Sequence, residues 1–193
     1  MVNSHTAIVS GKGFTLIELA VTLVLMALLM LMAVPFARGW IDNNRQLQIR
    51  SLLWEGISQA RALALRNPNA VLYVDPASGI SNPVVCLRFS NDGKLSVNLS
   101  SLPHGSIVAS CVASSAQPVW SVTLPHDVDL RLVDSQQNLT AQTLPSTKPF
   151  TCLALNSRAQ RLARVDHCED TDLNLDRLAI GFHAQDPLYV HLF

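Results

Sequence analysis

The sequence predicts an α+β chain, in which a long N-terminal helix packs on a head built around an antiparallel β-sheet. Three features lead there. An apolar run of membrane length opens the chain, an amphipathic stretch continues it, and short alternating segments divided by turns fill the remainder.

The run from Phe14 to Ala37 reads FTLIELAVTLVLMALLMLMAVPFA, and Glu18 is its single charged side chain. At ~1.5 Å rise per residue, a helix of this length crosses the ~30 Å hydrocarbon layer of a bilayer. An ionised glutamate inside that layer costs about 2.5 kcal/mol or more, so it needs a partner or a task. Lys12 and Gly13 stand immediately before Phe14, where a processing enzyme could cut. An ordinary secretory signal has a shorter apolar core and a small-x-small cleavage site, and neither is present.

Beyond Arg38 the apolar residues Ile49, Leu53, Ile57, Ala60 and Ala64 recur at helical spacing. Arg50, Glu55, Ser58, Gln59 and Arg61 fill the positions between them. Asn67-Pro68 ends the pattern, because a residue before proline disfavours helical geometry. One helix of ~80 Å is expected from Phe14 to about Asn67. Pro35 lies inside it, removes one backbone hydrogen bond and predicts a kink.

After Pro68 the strand candidates are 70–74, 84–89, 95–99, 119–124, 128–133, 150–155, 162–165, 178–182 and 188–192. Asn91-Asp92-Gly93-Lys94 is a hairpin signal between the second and third of these. Residues 136–148 are polar and read as loop. The expected organisation is a leader at 1–13, a transmembrane half-helix at 14–37, an amphipathic half-helix at 38–67 and a β-rich head at 68–193.

Lys+Arg and Asp+Glu balance at 14 each in the 193 residues, which gives no general attraction to nucleic acid or acidic membranes. Cys86, Cys111, Cys152 and Cys168 all follow the apolar run. An even count in an exported domain points to two disulfides. Three connectivities are open; Cys86–Cys111 with Cys152–Cys168 is favoured because both close short loops, at about 3 kcal/mol each. A zinc site is the competing reading, without a Cys-x-x-Cys pair to support it.

Gly13-Phe14-Thr15-Leu16-Ile17-Glu18, preceded by a short polar leader and Lys12, resembles the signal of type IV prepilins and pseudopilins. The resemblance implies that a prepilin peptidase cuts after Gly13 and methylates the new amino terminus at Phe14. It implies that Glu18 then neutralises the terminal ammonium of an adjacent subunit. Two charges that are each costly in lipid become tolerable when paired at short range. In this family a proline at the position of Pro35 often marks where the helix loosens inside the filament. With a β-rich head and two disulfides, the chain resembles minor pilins of the GspH/FimT/FimU type. That resemblance is specific over residues 11–40 and architectural beyond them.

It implies a bacterial inner-membrane, single-pass protein with its head in the periplasm, later carried into a filament at the cell surface. Its partners would be the peptidase, other minor pilins and the major pilin. The expected work is initiating or capping a type IV pilus and so supporting twitching motility, adhesion or DNA uptake. A GspH-like pseudopilin of a type II secretion system shares every N-terminal feature and is the first alternative. A DNA-binding minor pilin for natural transformation is the second.

Arg158, Arg161 and Arg164 are its candidate phosphate contacts. They lack the Gly-Arg-x-Arg pattern of such proteins, and Asp166, Glu169, Asp170 and Asp172 follow them, so a solvated turn is favoured. The same acidic stretch offers oxygen ligands for calcium but lacks the spacing of a binding loop. No nucleotide, metalloprotease or hydrolase motif is present and the histidines are scattered, so neither catalysis nor a cofactor or metal is expected.

Overall fold

The computed structural model describes residues 13–72, 81–100, 109–111, 117–162, 165, 168, 174–183 and 185–192, with the side chains at 33–37 and 146 left out. The chain divides into two compact units, the first ending at Ile41 and the second beginning at Asp42.

Helix α1 runs Leu16–Arg66 and is continuous through Pro35. In the first unit its apolar side chains face outward, from Leu16 (88% exposed) to Met32 (68%). Among the described residues no helix is long and apolar enough to cross a membrane. Of the run expected at 14–37, the side chains at 33–37 lie outside the described set.

In the second unit the stripe Ile49, Leu53, Ile57, Ala60 and Ala64 is the buried face of α1. Each large aliphatic residue buried there stabilises by about 1.5–3 kcal/mol. Gln46 is also buried, and its Nε2 donates to the carbonyls of Ile180 and Asp186, both at 2.9 Å. Asn67 ends the helix in the left-handed region (φ 42°), where asparagine is tolerated, with its amide bonded to the Leu63 carbonyl. Its side-chain amide then closes on both backbone groups of Val71.

Among the described residues eight strands follow: β1 Val85–Phe89, β2 Lys94–Leu99, β3 Trp120–Thr123, β4 Val128–Val133, β5 Lys148–Pro149, β6 Cys152–Leu155, β7 Arg177–Phe182 and β8 Leu188–His191. They form two antiparallel four-stranded sheets, ordered β3-β2-β1-β6 and β5-β4-β7-β8. The head therefore has two sheets where the sequence suggested one. Pro125 lies between β3 and β4, lacks an amide hydrogen to extend the first ladder, and opens a turn to Val128.

Register decides what each face buries. Val85, Leu87, Leu95, Val97, Leu153 and Leu155 of the first sheet meet the α1 stripe together with Leu130, Leu132, Leu178 and Ile180 of the second. The opposite face of β7 is covered by Leu144 and Tyr189, which is why that strand is buried throughout. Arg177 sits under this cover. Its Nη2 donates to the carbonyls of Asp134 (2.7 Å) and Gln137 (2.9 Å), and its guanidinium lies over the Tyr189 ring at 4.7 Å.

Three local expectations change. Val71 and Leu72 are not strand, and the rest of the candidate strand 70–74 lies outside the described residues, apart from Ala70 in a left-handed turn (φ 49°). Of the candidate strand at 162–165, residues 163 and 164 lie outside the described residues; Leu162 is not strand, and isolated bridges join Leu155 with Arg161 and Val165 with Cys168. Residues 136–148 are not plain loop: a 3₁₀ turn at Leu144–Ser146 packs Leu144 onto β7, and β5 starts at Lys148. Alternation cannot detect a strand of two residues or a single apolar anchor in a polar stretch.

Candidate functional site

Gly13, Phe14 and Glu18, the residues expected to serve processing and assembly, lie at the start of α1. Thr15 precedes the first helical residue, and its Oγ1 accepts from the amide of Glu18 at 3.3 Å. In return the Glu18 Oε2 accepts from the Thr15 amide (3.3 Å) and from Thr15 Oγ1 (3.2 Å). This reciprocal capping box satisfies amides that the first turn would leave unpaired. A carboxylate is also favoured there by the positive end of the helix dipole.

Gly13 and Phe14 precede the cap outside the helix and are both exposed, Phe14 by 83%. A Cβ built at Gly13 would meet nothing within 4 Å. Glycine is therefore not required there by this chain's own packing. Glu18 and Phe14 were legible in the sequence, but the part played by Thr15 was missed. Its signal was present as Thr-x-x-Glu ahead of an apolar run.

Pro35 lies inside a continuous stretch of helix, with its side chain outside the described set, and the kink remains an expectation. The four cysteines pair as Cys86–Cys111 and Cys152–Cys168, the favoured connectivity. All four are buried in one cluster with Ala154, flanked by Leu162 and Val165.

Of the three arginines, Arg164 lies outside the described residues. Arg161 bridges to Leu155 through its backbone and donates from its guanidinium to the Leu175 carbonyl, which ties it to the β6–β7 connection. Arg158 is exposed on a turn in which Asn156 Oδ1 accepts from its amide at 2.9 Å. Asp166, Glu169, Asp170 and Asp172 also fall outside the described residues.

Among the described residues, the grouping with metal-ligand geometry is Cys111, Cys152 and Cys168, whose sulfurs are taken up in disulfides. His183 lies between Asp42 (3.3 Å) and Asp127 (3.4 Å), but they approach opposite ring nitrogens and so do not converge on a common ion.

Two comparisons are silent: no curated protein and no solved structure matches the chain. A protein-family model, the prokaryotic N-terminal methylation motif, matches residues 10–34, which include Gly13, Phe14, Thr15 and Glu18. A signal of this kind implies processing by a prepilin peptidase, membrane anchoring and later assembly into pilus-like filaments. With an N-terminal helix packed on antiparallel sheets, the motif supports a type IV pilin-like protein.

Proposed function

We propose that the chain is a minor subunit of a bacterial type IV pilus, a non-catalytic filament component that helps to initiate or cap assembly. It would link other minor pilins to the major pilin. The observation that carries this reading is the Thr15–Glu18 cap, set immediately after an exposed Gly13–Phe14 bond within the methylation motif. Cleavage there makes Phe14 the amino terminus, one residue before the cap.

The arrangement suggests how Glu18 tolerates lipid. Before assembly its carboxylate is held by the Thr15 amide and hydroxyl, which offsets part of its desolvation. During assembly a neighbour's terminal ammonium replaces these weaker donors, and charge pairing in a low dielectric favours the filament. The exposed apolar side chains of 16–32 exchange lipid for the helices of adjacent subunits.

The head supplies contacts outside the membrane. Leu47 and Trp54 are exposed on α1 beside β8 and line a groove of about 550 Å³ with Arg50, Ser51, Val190 and His191. Exposed apolar residues of this kind suit a subunit contact. Deletion of the gene, scored together for surface pili, protein secretion and transformation, tests the reading. Loss of pili supports it. Loss of secretion with pili intact would assign the chain to a type II secretion system instead.

A further inference from the structure

The two disulfides are neighbours as well as staples. Antiparallel pairing of β1 with β6 sets Cys86 opposite Ala154 and Arg88 opposite Cys152. Cys86 and Cys152 are therefore diagonal neighbours on one face of the first sheet, the face turned away from α1. Cys111 is drawn to that face by its bond to Cys86 and by Arg88, whose Nη1 donates to its carbonyl at 2.7 Å. Cys168 is held by its amide, which donates to the Val165 carbonyl at 3.1 Å. The sulfurs of Cys111, Cys152 and Cys168 consequently lie within 4.8 Å of one another, and the Cys86 sulfur is bonded to the first of them.

We propose that the four cysteines form a single thiol–disulfide exchange site, in which the two pairings interconvert inside the folded head. Its partner is a dithiol, either a small molecule or the reduced active site of a thiol–disulfide oxidoreductase. The dithiol reduces Cys86–Cys111 and becomes a disulfide itself, leaving thiols at Cys86 and Cys111. The Cys111 thiolate then attacks a sulfur of Cys152–Cys168. A new bond to Cys111 forms as the old one breaks, and the electron pair leaves on the departing sulfur, which takes a proton from water. This second step has no net oxidation or reduction.

Two features favour the intramolecular route. All four residues are at most 4% exposed, so a thiolate formed inside meets the other sulfurs far more often than a thiol from solution. The Arg88 guanidinium, bonded to the Cys111 carbonyl, also fixes a positive charge against that residue's backbone. The inference stands without the filament reading, because it rests on the sulfur positions alone.

The test removes the need for a reductant. In the full chain purified in detergent, Cys86→Ala leaves Cys111 as a thiol next to an intact disulfide. After incubation at mildly alkaline pH, acid quenching and alkylation, peptide mass spectrometry locates the free thiol. The expected result is a mixture in which Cys111 is bonded to Cys152 or Cys168. Even a tenfold preference for the native pair leaves about one molecule in ten crossed. A free thiol confined to Cys111 in protein that still unfolds in one cooperative transition would overturn the proposal. If Cys86→Ala does not fold, Cys168→Ala leaves Cys152 as the attacking thiol, and Cys111–Cys152 pairing with Cys86 released is expected. Wild-type protein given limiting phosphine reductant supplies a third reading. Crossed pairs among singly reduced molecules support exchange, and native pairs alone refute it.

Discussion

Thr15 and Glu18 hold each other at the start of α1: the threonine hydroxyl caps the glutamate amide, and the glutamate carboxylate caps the threonine amide at 3.3 Å. Glu18→Ala removes the carboxylate from both partners. The variant should be cleaved normally yet be depleted from sheared filaments by tenfold or more, as expected for losing an ion pair in a dry environment (about 1.4 kcal/mol per tenfold). Immunoblots of the filament and membrane fractions check this. Wild-type incorporation would remove the assembly role. Thr15→Val, which loses only the cap at about 1 kcal/mol, should show a milder defect.

Gly13→Ser should block processing while leaving the fold untouched. A Cβ at that position meets nothing within 4 Å, so any effect arises from recognition by the peptidase. The mutant should run as the longer precursor and melt at the wild-type temperature. Mature-sized product would rule out the cleavage site.

Gly56 lets α1 approach β3. A Cβ there would stand 3.0 Å from the Trp120 ring, whose Nε1 donates to Glu55 Oε1 at 3.1 Å. Gly56→Leu is expected to destabilise the head by about 1–3 kcal/mol, as overpacking typically does. A lowered denaturant midpoint by circular dichroism checks it. An unchanged midpoint would mean that the ring can move aside.

Gln46→Leu leaves the carbonyls of Ile180 and Asp186 without this donor inside the head. A loss of about 1–3 kcal/mol is expected. Faster amide exchange around the β7–β8 turn should accompany it. Equal stability would show that water replaces the side chain.

Asp92 shapes the β1–β2 turn. The Ser90 hydroxyl, followed by the Lys94 amide, hydrogen-bonds its carboxylate and holds it below its usual 3.8. A depressed folded value stabilises above the unfolded value and is lost as pH falls through the folded one. Wild type should therefore lose a little more stability than Asp92→Asn as the pH drops from about 5 to below 3.8. The group is fully exposed, so the difference is small and best read by NMR titration of the turn. Titration at or above 3.8 would contradict the assignment.

Much of this structure was readable from residue spacing. The stripe Ile49 to Ala64 marked the buried face of α1 because a helix repeats on one face every three or four residues. The Asn91–Lys94 turn was legible through Gly93, which adopts φ 78°, a region open to glycine. What escaped depended on contacts across sequence distance. Gln46 reads as a polar surface residue until β7 and the turn after it close over it. Arg177 reads as a strand-edge charge, and nothing local announces the carbonyls that receive it. The division into two sheets shows only in long-range pairing, where β6 joins β1 while its neighbour in the chain, β5, joins β4. At the site itself, Gly13, Phe14 and Glu18 form a contiguous pattern, whereas Arg161 was read as a surface charge and is engaged by the Leu175 carbonyl.

The caged guanidinium at Arg177 also bears on how the head responds to its surroundings. Its two carbonyl acceptors belong to Asp134 and Gln137, three residues apart in the chain after β4. The strap from Asp134 to Gln137 is thus clamped by a single side chain that β7 carries. Shedding that strap requires β7 itself to give way, so its amides should exchange with solvent on the schedule of the sheet rather than of a loop.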